Sequence, residues 1–94
     1  MNAIEQNEVL TEAINKYGID SQMNMVVEEC AELIKAINKF RRVASSENLT
    51  ELCGEVSDVE IMCAQVRIML NKQGLIDKIK EEKIERLKYR LQKY

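Results

Sequence analysis

The sequence predicts an all-α protein, and three observations lead to this prediction. The chain of 94 residues contains no proline and only three glycines, so few residues interrupt a helix. Apolar residues make up 46% of the chain and recur every three or four residues in four successive segments. The stretches between these segments are short, at about three to five residues, which favours antiparallel packing like that of a four-helix bundle.

The length of the chain bears on its assembly. A chain of 94 residues suits one small domain, which we expect to span residues 1–94. One copy of so short a chain makes only a thin core, and helices with wide apolar faces can share a core between copies. We therefore expect a homo-oligomer.

The first two predicted helices cover residues 2–17 and 21–43. Gly18 is placed to cap the end of the first helix. Residues 19–21 are predicted as a short connection in which Asp20 or Ser21 caps the second helix. The second helix has the clearest amphipathic pattern of the chain, with apolar positions at Met23, Val26, Val27, Cys30, Leu33, Ile34, Ile37 and Phe40.

The third and fourth predicted helices cover residues 48–71 and 75–92. Asn48 and Glu51 resemble a capping box at the start of the third helix. That helix is apolar on two sides, which is typical of a central or interface helix. Residues 72–74 are predicted as a break. The last helix has a weaker apolar stripe made of Ile76, Ile79, Ile84, Leu87, Leu91 and Tyr94.

The three cysteines are predicted to be reduced core residues. Cys30, Cys53 and Cys63 all fall at apolar helix positions, and none forms a C-x-x-C pair. The chain has no histidine that could complete a zinc site.

Two short acidic segments, called acidic phrases below, contain the candidate metal-binding and catalytic residues. Glu29 and Glu32 are three residues apart in the second helix, and so are Glu55 and Asp58 in the third. On an α-helix this spacing places both side chains on the same side, one turn apart. If the two helices pack side by side, four carboxylates converge.

Glu55 is the strongest indication that they do. On the helical wheel it lies inside the main apolar stripe of the third helix, between Leu52 and Val59. An ionised carboxylate that faces a core costs several kcal/mol unless it is paired or binds a metal. A surface salt bridge at i, i+4 returns only about 0.2–0.5 kcal/mol.

An all-oxygen set of ligands suits Mg²⁺, with Mn²⁺ as a substitute. A di-iron carboxylate bundle of the usual kind needs Glu-x-x-His on two helices, and the absence of histidine excludes it. The plainer interpretations stay open beside this one. The first phrase alone could be a solvated helix face, and Glu55 could form a buried salt bridge with a base of another helix.

The phrases also resemble a family signature. Glu28-Glu29-x-x-Glu32, followed after 22 residues by Glu55-x-x-Asp58, resembles the motif of MazG-type nucleoside triphosphate pyrophosphohydrolases, an all-α superfamily. The resemblance covers residues 22–70. It implies Mg²⁺-dependent hydrolysis of (d)NTPs between the α- and β-phosphates, to a nucleoside monophosphate and pyrophosphate, by dimers or dimers of dimers.

The resemblance also implies roles for individual residues. Glu29, Glu32, Glu55 and Asp58 would be the metal ligands. Glu28 would be an auxiliary acid that binds another metal or orients the attacking water, and we count Glu28 and Glu29 as candidate catalytic residues. The candidates for phosphate contacts are basic: Lys35 and Lys39 past Glu32, and Lys83 and Arg86 in the last helix, which could serve the site of a neighbouring chain. A solvated helix face explains Lys35 and Lys39 as well as a substrate role does, and it explains Lys83 and Arg86 better.

Charge and hydropathy bear on whether the chain binds nucleic acid or crosses a membrane. The formal net charge is -2, so nucleic acid is not an expected partner, although the last helix is locally basic. The sequence shows no signal peptide and no apolar run near the ~20 residues of a membrane span, so we expect the cytosol. Two non-enzymatic alternatives remain: a helical interaction module that keeps a metal site, and a structural coiled-coil-like dimer.

Overall fold

A computed structural model of the chain describes residues 1–93 and contains four α-helices. They are α1 (Ala3–Tyr17), α2 (Ile19–Arg42), α3 (Ser46–Leu70) and α4 (Gln73–Lys93). No strand occurs among the described residues. The prediction of an all-α chain with four helices is confirmed. The apolar position predicted at Tyr94 lies outside the described residues.

Gly18 joins α1 to α2 in a single residue. Its φ of 92° lies in the left-handed region that favours glycine, and its N–H donates to the Ile14 carbonyl at 2.9 Å. The Gly18 carbonyl accepts from the Gln22 N–H at 3.1 Å, which starts the hydrogen bonding of α2. The predicted cap at Gly18 is confirmed. The predicted connection over residues 19–21 is wrong, because the turn at Gly18 lets α2 begin at once.

Ser45 caps the start of α3, and it lies three residues before Asn48, the predicted cap. Its Oγ accepts from the Asn48 N–H at 3.1 Å. Asn48 lies in the first turn instead, where its side-chain Nδ2 donates to the Val43 carbonyl at 2.9 Å. The prediction of Asn48 as the cap is therefore wrong. Serine and asparagine both suit the N-cap position. Because Ser45 comes first in the sequence, capping by Ser45 makes the helix three residues longer than predicted.

The end of α3 is marked by Asn71, which adopts the left-handed conformation with a φ of 50°. Its N–H contacts the carbonyls of Arg67 and Ile68 at 3.1 and 3.2 Å. The predicted break is shorter than expected, because α4 begins at Gln73 and includes Gly74.

The core lies mainly between α2 and α3, and α1 packs against both. The contacts of Gln22 with Gln65 and of Lys39 with Glu51 show that α2 and α3 run antiparallel. The buried residues are few: the apolar Ile14, Ala36 and Met62, and the polar Gln22 and Gln65. No side chain in residues 1–93 is buried completely. The expectation of a thin core in a single copy is met.

The fourth helix takes little part in this core. Among the described helices, α4 contacts only α3, and none of its residues is buried. An ion pair of 2.8 Å joins Arg67 Nη1 of α3 to Asp77 Oδ1 in the second turn of α4. One copy therefore packs three helices together, and because α4 contacts only α3 it does not complete the bundle that the sequence predicts. No helix in residues 1–93 has a stretch both long and apolar enough to cross a bilayer.

The cysteine prediction is wrong about burial. Cys30, Cys53 and Cys63 carry free thiols, and all three are exposed. The helical wheel shows which faces are apolar but not which are covered. In one copy these three lie on faces that no other helix covers.

Candidate metal centre

Three carboxylates from α2 and α3 converge at the seam between the two helices. One carboxylate oxygen from each of Glu29, Glu55 and Asp58 lies within 4.8 Å of the other two. Glu55 and Asp58 share one side of α3 because they are one turn apart, and the antiparallel α2 brings Glu29 to them. The structure thus brings together three of the four carboxylates that were predicted to converge.

The surroundings of Glu55 are the most unusual feature of this cluster. Its side chain is half-buried, and its Oε2 is a buried atom without a hydrogen-bond partner. The two ion pairs found in residues 1–93 join Lys39 to Glu51 and Arg67 to Asp77, so neither serves Glu55. The alternative of a buried salt bridge to a base of another helix is therefore not what one copy contains. A bound cation would supply the missing partner.

The crowding of these carboxylates also changes the pKa of Glu29. Burial raises the pKa of its carboxyl above the ordinary value of 4.5, and the neighbouring charges of Asp58 and Glu55 raise it further. Three carboxylates this close repel one another when all are ionised. A cation between them would reverse that repulsion and favour the charged form of each.

Glu32 and Glu28 lie further from the centre. Glu32 is exposed and lines a groove with Glu55 and Asp58, but it is not among the three carboxylates that meet within 4.8 Å. Glu28 is also exposed, and it belongs neither to the cluster nor to the residues that line the groove. Their predicted roles as ligand and auxiliary acid stay predictions.

The groove continues from the carboxylates along the α2–α3 seam. It has a volume of about 390 Å³ and is lined by Glu32, Lys35, Ala36, Lys39, Glu51, Gly54, Glu55 and Asp58. Lys35 and Lys39 thus lie beside the carboxylates, where a bound anion could reach them. At Gly54 an added Cβ would meet no atom within 4 Å, so the missing side chain leaves the wall of the groove open.

Glu51 is a groove residue that the sequence interpretation assigned elsewhere. Its Oε2 lies 3.0 Å from Lys39 Nζ, and both side chains are about half exposed, at 56% and 48%. The sequence carried a signal for it, because Glu51 is one turn before Glu55 on α3. The capping box proposed for Asn48 gave Glu51 a different role.

Lys83 and Arg86 do not reach this site within one copy. Both are exposed on α4, which does not contact α2. Neither residue lines the groove. A contact with substrate through a neighbouring copy stays a prediction.

The chemistry of the donors fits a hard divalent cation. All the groups at the centre are carboxylate oxygens, and one of them is buried without any other partner. Such ligands suit Mg²⁺ or Mn²⁺ and do not suit soft metals. Comparisons with protein-family models, curated proteins and solved structures find no match for this chain.

Proposed function

We propose that this chain is a Mg²⁺-dependent nucleoside triphosphate pyrophosphohydrolase, with Mn²⁺ as a possible substitute. The observation that carries the proposal is the convergence of Glu29, Glu55 and Asp58 around a buried Glu55 oxygen that lacks a partner. The sequence resemblance to MazG-type enzymes supplies the reaction: hydrolysis of a (d)NTP between the α- and β-phosphates.

The three carboxylates would hold the cation, with Glu32 on the wall of the groove as a fourth ligand. Bound Mg²⁺ would neutralise the triphosphate and polarise its phosphorus–oxygen bonds. Few carboxylates and several waters are typical around Mg²⁺ that binds substrate phosphates. A groove open to solvent beside the carboxylates suits this use better than a closed cage would.

Lys35 and Lys39 would bind the phosphates. Both line the groove that contains Glu55 and Asp58. Lys39 is paired with Glu51, but an exposed pair of this kind contributes only about 0–1 kcal/mol and exchanges easily for another anion. A triphosphate in the groove can therefore take Lys39 from Glu51 at little cost.

In the reaction, the oxygen of a water molecule would form a bond to the α-phosphorus. The bond from the α-phosphorus to the α–β bridging oxygen would break, and pyrophosphate would leave. A carboxylate takes the proton of the water. Glu29, which lies at the cluster, is the candidate for that role. Glu28, one residue earlier, is the candidate for orienting the water.

The assembly that we propose is a homodimer or homotetramer. The chain exposes 7590 Å², whereas a compact monomer of this mass exposes about 5,600 Å². Its radius of gyration is 16.3 Å, compared with about 12 Å for a compact domain of this length. The excess of roughly 2,000 Å² is what each partner of an obligate homodimer can bury. A neighbouring copy could then bring Lys83 and Arg86 to the site.

The compartment that we propose is the cytosol. Support comes from Cys30, Cys53 and Cys63, since three free and exposed thiols are typical of a reducing environment.

The deciding experiment is a turnover panel. Canonical and modified (d)NTPs are incubated with the protein and Mg²⁺, and pyrophosphate and nucleoside monophosphate are quantified by chromatography. We expect both products in equal amounts, and their loss in Glu32→Ala and Asp58→Ala. Glu8→Ala removes an exposed carboxylate of α1 outside the groove and should keep full activity.

Two outcomes would contradict the proposal. Wild-type activity in Asp58→Ala would separate turnover from this site. An absence of turnover with every nucleotide, together with Mg²⁺-dependent stabilisation, would instead favour a helical interaction module that binds a metal.

A further inference from the structure

The groove along the α2–α3 seam has two different ends. Glu55 and Asp58 lie at one end, and the ion pair of Lys39 and Glu51 lies at the other, with Nζ and Oε2 3.0 Å apart. Glu51 comes seven residues before Asp58 on α3, which corresponds to about 10 Å along the helix axis. Lys35, one turn before Lys39 on α2, lies between the two ends.

Basic side chains follow the seam on only one side of the carboxylates. On the other side, residues 19–28 of α2 contain no lysine or arginine. Residues 59–70 of α3 run beside them and contain only Arg67, which is paired with Asp77 of α4. A chain of phosphates that starts at the carboxylates and their cation therefore meets favourable charge only in the direction of the two groove lysines.

We propose that Lys39 is the subsite for the third phosphate of a nucleoside triphosphate, and that Glu51 is an internal competitor for it. This rests on the proposed function, which puts the α-phosphate at the cation. The β-phosphate then lies near Lys35, and the γ-phosphate replaces the Glu51 carboxylate on Lys39. A diphosphate ends before Lys39 and leaves the ion pair intact, so the pair makes the site selective for triphosphates.

The Glu51 carboxylate already occupies the position on Lys39 that the third phosphate takes. Because the pair is exposed, its competition changes the affinity for an anion by no more than about fivefold. A terminal phosphate carries more charge and offers three acceptor oxygens, so it displaces the carboxylate. A diphosphate receives neither the gain from Lys39 nor the competition from Glu51.

Calorimetry with uncleavable nucleotides tests the subsite. The α,β-methylene analogues of the canonical dNTPs and of the matching dNDPs are titrated into the full chain with saturating Mg²⁺, and the attached nucleoside fixes which phosphate lies at the cation. We expect the wild type to bind a triphosphate more tightly than its diphosphate. Lys39→Met should weaken the triphosphate about tenfold, the loss of one charge-assisted hydrogen bond, and leave the diphosphate within about twofold. The matched control Lys88→Met, on α4 outside the groove, should bind both like the wild type.

A second variant tests the competitor. Glu51→Gln should tighten the triphosphate by up to about fivefold and leave the diphosphate unchanged. Glu47→Gln removes an exposed carboxylate one turn earlier on α3, outside the groove, and should change neither affinity. Both side chains of the pair are about half exposed, so these substitutions leave the fold intact.

Three results would overturn the proposal: a wild type that prefers no triphosphate to its diphosphate, equal losses for both analogues in Lys39→Met, or no tighter triphosphate binding in Glu51→Gln. The analogues also separate the subsite from hydrolysis. A selective response to Lys39→Met in a protein that turns over no nucleotide would keep the subsite and remove the hydrolase. Turnover of dNTPs together with equal losses in Lys39→Met would keep the hydrolase and remove the subsite.

Discussion

Glu55 is the residue at which stability and the proposed function most clearly oppose each other. It occupies a position in the apolar stripe of α3, yet its Oε2 is buried without a hydrogen-bond partner. A buried polar atom left without a partner typically costs about 1–3 kcal/mol. A leucine at this position would remove that cost and add apolar contact with α2, whereas only the carboxylate can bind a cation.

We therefore predict that Glu55→Leu stabilises the protein and removes its response to Mg²⁺. In metal-free buffer the free energy of unfolding should rise by about 1–3 kcal/mol, measured by urea denaturation. The shift in melting temperature that Mg²⁺ produces in the wild type should be absent from the variant. Glu12→Leu, an exposed position on α1, should change stability by less than about 0.5 kcal/mol and keep the response. A destabilised Glu55→Leu would contradict this account of Glu55.

The sequence was informative about single residues where a helix position and a charge conflicted. Glu55 could be identified from the wheel because a carboxylate inside an apolar stripe is unusual. The distinction between Glu29, which joins the cluster, and Glu32, which lines only the groove, could not be predicted. It depends on how closely α2 approaches α3 and on which way each side chain points, and neither follows from spacing along one helix.

At the scale of helices, the relative position of α2 and α3 determines whether the carboxylates meet. Gln22 Nε2 donates to Gln65 Oε1 at 2.6 Å, and these are the two buried polar side chains of the described residues. Gln22 is seven residues before Glu29, and Gln65 is seven residues after Asp58. Seven residues are about two helical turns, so the amide pair lies on the same seam as the carboxylates. This hydrogen bond fixes the helices in the register that brings Glu29 to Asp58.

We predict that Gln22→Leu with Gln65→Leu keeps the fold but weakens metal binding. Replacing both amides by apolar groups should be neutral or stabilising, whereas either single variant leaves one buried amide unpaired and costs about 1–3 kcal/mol. Mg²⁺ affinity, measured by titration calorimetry, should fall roughly tenfold, as is typical when groups that orient ligands are removed. Met62→Leu, on the same seam, should keep the wild-type affinity. A double variant that binds Mg²⁺ like the wild type would show that the amides do not set the register.

The helices themselves were predictable because their apolar periodicity is strong, but the starts of α2 and α3 were not. Near Ser45 and Asn48 two residues suit the role of cap, and propensity alone does not choose between them. At Gly18 a single left-handed residue replaced a connection that was predicted to be longer. The caps depend on where the whole chain must turn, which is a property of the packed helices.

At the scale of the whole molecule, the single chain is incomplete as a packing unit. Its most buried side chains are few, its cysteines are exposed, and α4 has an uncovered face. The sequence predicted apolar positions correctly, yet it could not show which of them one copy covers. Whether an apolar face is core or interface depends on the partner, and the partner is not encoded in the periodicity of one helix.

The carboxylate cluster links the stability of the whole molecule to pH. Burial and the neighbouring charges of Asp58 and Glu55 raise the pKa of Glu29 above 4.5 in the folded protein. The folded state thus holds this proton more tightly than the unfolded state does. Without metal, the stability that this proton provides is present below pH 4.5 and is lost as the pH rises through the raised pKa.

We predict that Mg²⁺ reverses this dependence, because it binds the deprotonated carboxylates and only in the folded state. At pH 7 saturating Mg²⁺ should raise the melting temperature by at least about 5 °C, and the increase should shrink steadily toward pH 4.5. Glu29→Gln removes the titrating group, so in metal-free buffer its stability relative to the wild type should increase as the pH rises. Melting curves of both proteins across this pH range, with Mg²⁺ and with EDTA, give the comparison. An equal effect of Mg²⁺ at both ends of the range would show that the cation acts away from these carboxylates.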